Sequence, residues 1–328
     1  MTRSLVILHP GTFGDVLLAV PAIRRLRARY SDRDMLLIAR DSIGRLLVAC
    51  GVLKAWMSME GPAGVGLFSK GGQLPHELER WLNRCDAAIA WLEDSENALR
   101  ANLQEFHIPK VRIQSPASPT LRARHQSHRF LETIEEPAVD DASDRFIQVP
   151  PTLFEAGRSC LERLGVPRGQ ACVLVHPGSG STHKCLDPAT LALMIHHLDQ
   201  KGLVPVVIEG PADQNAVGRM LEVSRRRPLI LRDLDLTTLA GVLVQARVFL
   251  GHDSGVTHLA ALLGVHTVAV FGPTDPGRWA PIGAHVTIVQ GPSCLCRSWD
   301  DVRQCHEKPC LGVSPDQIFM SLEAAWLT

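Results

Sequence analysis

A carboxylate, Asp15, ends the glycine-rich loop HPGTFGD near the N-terminus, where an apolar run gives way to a helical pattern. An Asp at the start of a helix is commonly a cap, because its oxygens accept backbone N–H groups of the first turn. The same carboxylate can act as a general base when an acceptor hydroxyl comes within hydrogen-bond reach. The two roles do not exclude each other, so Asp15 is both a candidate cap and a candidate catalytic base.

A second loop with suitable chemistry is VHPGSGSTHK, which also follows an apolar run. Gly178 and Gly180 let the backbone approach a phosphate closely, Ser179 adds a hydroxyl, and Lys184 adds a compact positive charge. The loop is neither a Walker loop nor a GxGxxG motif. It predicts a phosphate-binding loop, and the alternative is an ordinary Ser/Gly surface loop with an exposed lysine.

The stretch GHDSGVTHLAALLG is the most informative part of the chain. It delivers Asp253, Ser254 and Gly255 to the start of a predicted helix, whose free N–H groups form an anion site. His258 lies one turn further on, within reach of the same ligand; a satisfied buried histidine is the alternative. A Ser–His–Asp hydrolase is a further option, but the GxSxG elbow is absent and the three residue types crowd onto one turn.

A fourth loop, VFGPTDPGRWAP, ends the last predicted parallel strand in a turn rich in Gly and Pro. Asp275 and Arg278 project from this turn, whose prolines stiffen it. Its place after the final strand predicts a position beside the loop that carries Asp253. A purely structural turn is the alternative.

These loops need a scaffold that brings strand ends together. Short apolar runs alternate with amphipathic stretches along the chain, which is the pattern of parallel strands connected by helices. The predicted strands are 5–8, 35–39, 87–92, 172–176, 204–208, 248–250 and 267–271. The predicted helices are 15–30, 154–164, 188–201, 237–245, 255–263 and 314–326. Ligands of such sheets bind beyond the carboxyl ends of the strands, where the four loops lie.

The length of 328 residues favours two domains, since one domain usually takes about 150. Periodicity fades between residues 109 and 151, and the segment 116–128 has no clear apolar face, so we predict loop and linker there. The expected architecture is α/β, with two Rossmann-like domains, 1–150 and 151–328, facing each other across a cleft. The last helix is expected to pack back on the N-terminal domain.

The composition is that of an ordinary globular protein, with 45% hydrophobic and 21% charged residues. Lys and Arg, 34 in number, balance 34 Asp and Glu, so no global positive field drives nucleic-acid binding. No apolar stretch reaches the roughly 18 residues of a membrane-spanning helix, and polar residues interrupt the first apolar run before a secretory signal forms. We expect a cytoplasmic protein that contacts a membrane only peripherally.

Four of the nine cysteines crowd into seventeen residues near the C-terminus: Cys294, Cys296, Cys305 and Cys310. Four thiolates can hold zinc or iron tetrahedrally, although C-x-C replaces the usual C-x₂-C spacing here. Such a metal would be structural rather than catalytic. The alternative is a set of reduced thiols or disulfides that staple a loop.

Three segments together resemble a known family: GDVLLAVPAIRRLR, HPGSGSTHK and GHDSGVTHLAALLGVHTVAVFGPTDPGRWAP. In order and spacing they are similar to glycosyltransferase family 9, the ADP-heptose:lipopolysaccharide heptosyltransferases. The resemblance spans nearly the whole chain. It implies a GT-B fold with an acceptor-binding N-terminal domain and a C-terminal domain that binds the nucleotide sugar. It also implies inverting transfer that requires no metal or other cofactor, with Asp15 as the base.

The resemblance further implies the ligands and their contacts. The donor is expected to be ADP-heptose, and the acceptor a lipid-linked glycan of the lipopolysaccharide inner core at the cytoplasmic face of the inner membrane. The implied donor contacts are Ser179 and Lys184 to the diphosphate, Gln214 and Leu234 near the nucleoside, and Asp253, Ser254, Gly255 and His258 to sugar and phosphate. The alternatives are a nucleotide-sugar epimerase or hydrolase on this scaffold, or a sugar-nucleotide-binding protein without catalysis.

Overall fold

The computed structural model describes residues 2–115, 124–136 and 146–327, which belong to two units, Met1–Asp144 and Arg145–Thr328. The boundary between the units lies a few residues before the one predicted at residue 150. Each unit contains one parallel sheet with helices between its strands. The acceptor and donor roles assigned to the two domains stay predictions.

The first unit contains a five-stranded parallel sheet with the order β3-β2-β1-β4-β5. Its strands are β1 (Ser4–Leu8), β2 (Asp34–Ala39), β3 (Ala55–Ser58), β4 (Cys85–Ala90) and β5 (Lys110–Ile113). Its helices are α1 (Phe13–Leu18), α2 (Val20–Arg29), α3 (Asp41–Ala49), α4 (Pro62–Phe68), α5 (His76–Leu82), α6 (Ala98–Gln104) and α7 (Gln126–Thr133).

The second unit contains a six-stranded parallel sheet with the order β11-β10-β9-β6-β7-β8. Its strands are β6 (Cys172–Val175), β7 (Val204–Glu209), β8 (Leu229–Arg232), β9 (Val248–His252), β10 (Thr267–Phe271) and β11 (Val286–Gln290). Its helices are α8 (Pro151–Leu164), α9 (Pro188–Gln200), α10 (Gln214–Val223), α11 (Leu236–Leu243), α12 (Gly255–Leu262), α13 (Pro276–Trp279), α14 (Trp299–Gln304) and α15 (Pro315–Leu327).

The central strands are buried on both faces, as parallel strands covered by helices must be. Every residue of β1, β9 and β10 is buried. Their sequences, SLVIL, VFLGH and TVAVF, are short apolar runs without alternation, which is why they could be read directly from the sequence. The core of each sheet is therefore built from the runs that the sequence predicted as strands.

In each sheet the order of successive strands reverses once. In the first unit β1 lies between β2 and β4, and in the second unit β6 lies between β7 and β9. Successive strands on the two sides of such a switch point lead their connections away from each other and leave a crevice at the carboxyl edge. The loops after β1, β6 and β9 lie at these two switch points.

Two predictions about local structure are wrong. The single helix predicted over 15–30 is two helices, α1 and α2, because Pro21 in the first turn of α2 lacks the N–H that a continuous helix would use. The loop predicted between 109 and 151 contains β5 and α7, which are only four and eight residues long and were therefore overlooked. The remainder of that predicted linker, 116–123 and 137–145, lies outside the described residues.

The last helix, α15, packs on α9 and on β9, β10 and β11 of its own unit. Its buried residues Ile318, Leu322 and Ala325 belong to the core of the second sheet. Its predicted packing on the other domain stays a prediction. Among the described residues, no helix has the length and hydropathy needed to cross a membrane.

Candidate active site

The loop after β1 places Asp15 in the first turn of α1. The backbone N–H and the hydroxyl of Thr12 both donate to Asp15 Oδ2, over 3.0 and 2.7 Å. The N-terminal cap of α1 is therefore Thr12, and Asp15, predicted to be the cap, is instead the third helical residue of the capping box; its role as a base stays a prediction. Because both bonds use Oδ2, Oδ1 is left among the described residues to accept a hydrogen bond from a ligand hydroxyl.

His9 follows β1 directly and is buried. Its Nδ1 accepts a hydrogen bond from the Gly11 N–H over 3.2 Å, and its ring lies 5.6 and 5.2 Å from the rings of Trp91 and Phe130. Burial lowers the pKa of His9 to about 4, against a smaller opposing effect from the charge of Asp15. The neutral ring therefore holds the turn that leads into α1.

The loops after β6 and β9 interlock at the switch point of the second sheet. Lys184 Nζ lies 2.7 Å from Asp253 Oδ2, and the Ser179 hydroxyl donates to the Asp253 backbone carbonyl over 2.6 Å. Ser254 is the N-terminal cap of α12, which begins at Gly255. The structure therefore brings together these five predicted donor residues, which come from two loops more than sixty positions apart.

The carboxylate of Asp253 is the anionic centre of this cluster. His258 Nε2 lies 3.7 Å from its Oδ1, whereas Lys184 Nζ contacts its Oδ2. Burial would raise the pKa of Asp253, but the neighbouring His258 and the charge of Lys184 outweigh it, so the pKa lies well below its usual range. Asp253 is thus ionised and holds Lys184, whose ammonium has three N–H donors and can bind a second anion.

His258 is buried, as the structural alternative for this residue required. Its Nδ1 nevertheless has no hydrogen-bond partner among the described residues. A buried polar nitrogen without a partner costs free energy. His258 is therefore incompletely satisfied by the protein alone, which is compatible with its predicted contact to a ligand.

A buried histidine that the sequence analysis did not single out, His176, joins the same switch point. Its Nε2 lies 3.0 Å from Asp213 Oδ2, and its Nδ1 lies 3.2 Å from Ser254 Oγ. Burial would raise the pKa of Asp213, but the hydrogen bond and charge of His176 outweigh it and lower the pKa. The signal in the sequence was a histidine at the end of a buried strand, immediately before the glycine-rich loop.

A second buried histidine, His252, ends β9. Its Nε2 accepts a hydrogen bond from the Leu186 N–H over 2.9 Å, and its Nδ1 lies 3.4 Å from the Gly178 carbonyl. Burial, followed by the charge of His176, lowers the pKa of His252 to about 4. The neutral ring connects both ends of the glycine-rich loop to β9.

Gln214 and Leu234 follow the next two strands along the sheet. Gln214 is the exposed first residue of α10, and half-buried Leu234 immediately precedes the Asp235 cap of α11. The strand order β9-β6-β7-β8 places both loops at the same carboxyl edge as Lys184 and Asp253. Their contact with a nucleoside stays a prediction.

The loop after β10 has a hydrogen-bond partner for Asp275, whereas Arg278 Nε is buried without one among the described residues. Asp275 Oδ1 accepts a hydrogen bond from the Gly277 N–H over 2.8 Å, which caps α13. The Arg278 guanidinium lies 4.8 Å from the ring centroid of Trp279. The cap formed by Asp275 agrees with the structural-turn alternative, whereas Arg278 Nε is left to donate a hydrogen bond to a ligand.

The four C-terminal cysteines line one cavity of about 70 Å³, together with His183 and Lys308. All four are free thiols. Partial desolvation and hydrogen bonding with Cys294 and Cys305 raise the pKa of Cys296 to about 11, and burial and the neighbouring Cys294 do the same for Cys310. These two thiols are therefore protonated at neutral pH.

Cysteine binds zinc as the thiolate, so a metal ion here would have to displace the thiol protons. In the parts of the chain that the structure describes, however, no group of three or more His, Cys, Asp or Glu side chains is arranged to hold a metal ion. The protein residues here thus do not fit a preformed metal site. The structural zinc or iron ion expected from the cysteine count stays a prediction.

The cysteine-rich segment also contacts the loop after β6, which sequence reasoning did not foresee. Lys308 Nζ donates to the Thr182 carbonyl over 2.6 Å. The half-exposed ring of Trp299 lies with its centroid 5.6 Å from Lys184 Nζ, within the range of a cation–π interaction. The segment 294–310 therefore contacts both Lys184 and the loop that carries it.

Comparison with known proteins identifies the family of this chain. The model of glycosyltransferase family 9 (heptosyltransferase) matches residues 141–310, more than half of the chain. The chain belongs to glycosyltransferase family 9. The matched residues include the loops after β6, β7, β8 and β9, where the second-unit site residues lie.

Two relatives are lipopolysaccharide heptosyltransferases. The chain is 28% identical over 136 residues to lipopolysaccharide heptosyltransferase 3 of Escherichia coli, a match that covers 40% of this chain and 39% of that protein. It is 25% identical over 286 residues to lipopolysaccharide heptosyltransferase 3 of Escherichia coli strain K12, covering 82% of each. The chain thus spans about two fifths of the first relative and four fifths of the second.

Solved structures share the fold along nearly the whole chain. A family 9 glycosyltransferase from Veillonella parvula has a TM-score of 0.82 at 18% identity, covering 99% of this chain and 97% of that one. The ADP-heptose lipopolysaccharide heptosyltransferase II of Escherichia coli has a TM-score of 0.75 at 17% identity, covering 99% and 98%. An Escherichia coli heptosyltransferase with ADP-2-deoxy-2-fluoro heptose has a TM-score of 0.61 at 15% identity, covering 98% and 99%. These likenesses confirm the predicted GT-B fold.

Proposed function

We propose that this protein is an inverting, metal-independent glycosyltransferase that transfers heptose, or a related sugar, from ADP-heptose to a lipopolysaccharide inner-core or similar glycan. The observation that carries the proposal is the ion pair of Lys184 with Asp253 at the switch point beside the start of α12. This arrangement offers an ammonium group and free helix N–H groups to one diphosphate.

Breaking the bond between sugar and nucleotide leaves negative charge on the nucleoside diphosphate. Lys184 and the first N–H groups of α12, which begins at Gly255, stabilise that charge as it develops. Asp253 keeps the ammonium in place by a 2.7 Å contact, so little reorganisation is needed when the donor binds. The chain thereby supplies positive charge that a divalent cation supplies in other glycosyl transfers.

The attacking hydroxyl belongs to the acceptor and must lose a proton as it forms the new glycosidic bond. Asp15 Oδ1 accepts that proton, while Oδ2 stays bonded to Thr12. One displacement at the anomeric carbon, with attack opposite to the leaving diphosphate, inverts its configuration. The product is a glycan extended by one sugar, and the released nucleotide is ADP.

The nature of the sugar and acceptor rests on the relatives. Those with the longest match are named for heptosyl transfer to lipopolysaccharide, and one solved structure contains an ADP-heptose analogue. We extend heptose, ADP and a lipid-linked acceptor to this chain on that basis, with Gln214 and Leu234 beside the nucleoside. An acceptor of this kind requires action at the cytoplasmic face of the inner membrane.

The decisive experiment titrates the purified protein with ADP-heptose, ADP, UDP-sugars and GDP-sugars by calorimetry. Binding of an ADP-sugar that weakens about a hundredfold in Lys184→Ala is expected, because a charge-assisted contact to phosphate and the partner of Asp253 are both lost. Lys201→Ala is the matched control, since Lys201 pairs with Glu323 on the surface of the same unit. This control is expected to bind the donor like the unchanged protein.

Transfer is then measured with a truncated lipopolysaccharide acceptor and ADP-heptose. Formation of a heptosylated product supports the proposal. Preference for a UDP- or GDP-sugar would contradict the heptose and ADP assignment, and release of ADP without an acceptor would indicate a hydrolase. Donor binding without turnover on a panel of core acceptors would indicate a binding protein instead.

A further inference from the structure

Three loops at the switch point of the second sheet are joined by one chain of buried side chains. Asp213 comes from the loop after β7, His176 from the end of β6, and Ser254 from the loop after β9. The contacts between them are 3.0 Å for Asp213 Oδ2 to His176 Nε2 and 3.2 Å for His176 Nδ1 to Ser254 Oγ. All three residues are more than nine-tenths buried.

The hydrogen bond between His176 and Asp213 has a fixed direction. An ionised carboxylate only accepts hydrogen bonds, so His176 must carry a proton on Nε2 and donate it to Asp213. The same Oδ2 accepts the Gly210 N–H over 2.9 Å. Asp213 therefore fixes both the orientation of the His176 ring and the turn after β7.

The serine end of the chain reaches the predicted diphosphate site. Ser254 Oγ lies 3.4 Å from the Thr257 N–H, which makes it the cap of α12, and 3.0 Å from Thr257 Oγ1. Thr257 Oγ1 in turn donates to the His252 carbonyl at the end of β9. The orientation of Ser254 thus decides where the first free N–H groups of α12 point.

The glycine-rich loop is shaped around the same aspartate. A Cβ atom at Gly178 would lie 1.6 Å from Asp213 Oδ1, so this position admits no side chain while the carboxylate stays where it is. The loop that carries Lys184 is therefore seated directly on Asp213. One relay touches every loop from which a diphosphate contact is predicted.

We propose that Asp213 and His176 are positioning residues that hold Ser254, and through it the first turn of α12, in the geometry that binds the diphosphate of the nucleotide donor. The inference rests on the proposed function, because it concerns the same donor site. Neither residue touches the donor; each acts through the orientation of the serine that caps the helix.

A Ser–His–Asp relay also resembles the arrangement of serine hydrolases, in which the serine attacks the substrate. Here Ser254 is 8% exposed, and its oxygen is engaged by Thr257 as a helix cap. A nucleophile needs an accessible oxygen. Positioning is the role that this geometry supports.

The test is a double-mutant cycle read by nucleotide binding and by steady-state kinetics. Ser254→Ala and His176→Gln each remove the contact between Ser254 and the ring, and Gln retains an amide N–H for Asp213. Each variant is expected to raise the Kd for ADP about tenfold, the effect of one hydrogen bond. The double variant is expected to have a Kd for ADP no higher than that of the single variant with the larger loss. The kcat at saturating donor is expected to change less than threefold in all three variants.

Ser321→Ala is the matched control, because this hydroxyl donates to the Gln317 carbonyl on α15, and the variant is expected to bind ADP like the unchanged protein. Near-UV circular dichroism verifies that each variant is folded. Additive losses in the cycle, unchanged Kd values in folded variants, or covalent labelling of Ser254 by a fluorophosphonate would each overturn the relay.

ADP, UDP and GDP are compared first on the unchanged protein. Preference for UDP or GDP would contradict the ADP assignment alone, and the cycle is then run with the preferred nucleotide. Failure to bind all three would overturn the donor site and the relay together. Binding of one nucleotide with equal Kd in wild type and variants would overturn only the relay.

Discussion

The loop after β1 and the loops after β6 and β9 occupy equivalent places in their sheets but are built differently. In the first, the carboxylate of Asp15 is partly exposed and, within the described part of the chain, accepts hydrogen bonds from Thr12 through one oxygen. In the second, the carboxylate of Asp253 is buried and lies between Lys184 and His258. Among the described residues, the first carboxylate has one oxygen without a hydrogen bond, and the second has a side-chain nitrogen near each oxygen.

This difference in hydrogen bonding matches the requirements of a general base on one side and of a diphosphate-binding site on the other. A general base must change its hydrogen bonds during the reaction, so a free oxygen at a rigid backbone position serves it well. A site for a leaving diphosphate works best when its charges are already in place before the ligand arrives. We therefore expect substitutions in the first loop to change turnover and substitutions in the second to change donor binding.

The largest effect is expected from Asp15→Asn. Asn keeps an acceptor for Thr12 but cannot take a proton, so kcat should fall by about 10²- to 10⁴-fold. Donor binding by calorimetry should be unchanged. Asp41→Asn is the control, because Asp41 also lies in the first turn of a helix in this unit and pairs with Arg45. Loss of donor affinity in Asp15→Asn would break the comparison.

A smaller effect is expected from acid on both loops, since His9 and His252 each have a folded-state pKa of about 4. The unfolded chain binds these protons near pH 6.5, so the stabilisation is complete above that pH and is lost as the pH falls towards 4. Each histidine contributes at most about 3 kcal/mol to this loss.

Urea unfolding at pH 7.5 and pH 5, monitored by spectroscopic probes in each unit, measures the effect of acid on the free energy of unfolding. His9→Phe should flatten the pH dependence of the first unit and His252→Phe that of the second. A variant that flattens neither would show that burial of these rings does not control the acid response.

The contact between the glycine-rich loop and Asp213 is tested by Gly178→Ala. Its Cβ would meet Asp213 Oδ1, so the carboxylate or the loop must shift, at about 1–3 kcal/mol. Gly180→Ala, two residues on, would place its Cβ in open space and should leave stability unchanged. Thermal unfolding of the two variants measures the difference, and equal melting temperatures would contradict the seating of this loop on Asp213.

The smallest effect is expected from Thr12→Val, which removes the hydroxyl bonded to Asp15 and retains the backbone N–H. A lost capping contact costs about 1 kcal/mol of stability. Turnover should change less than tenfold, because Asp15 Oδ1 is untouched. The pair of measurements is denaturant unfolding and kcat, and a loss of turnover as large as that of Asp15→Asn would mean that the cap controls the base.

Much of the scaffold was predictable because its strands are buried on both faces. The runs at β1, β2, β4, β6, β7, β9 and β10 were predicted within three residues at each end. The edge strands β3, β5, β8 and β11 were missed, since their residues are only partly buried and their runs are correspondingly mixed. The split between α1 and α2 was missed because Pro21 was read as part of one helix.

The candidate site divides in the same way. Asp15, Lys184, Asp253 and Ser254 stand in glycine-rich loops after strands, a pattern that local sequence reveals. His176 opens the motif HPGSGSTHK but was given no role from it, and Asp213 carries no comparable motif. Trp299 lies in a segment that was interpreted only through its cysteines. Their importance follows from neighbours in space.

The sequence by itself determined the parallel α/β class, the family resemblance and the loops that carry chemistry, because apolar runs and glycine-rich turns act over a few residues. Only the tertiary structure decided that His176 joins Asp213, 37 positions away, to Ser254, 78 positions away. The reason is strand order: β6 lies between β7 and β9, so three loops distant in sequence end at one edge. Local spacing does not encode which strands are neighbours, whereas packing of the sheet does.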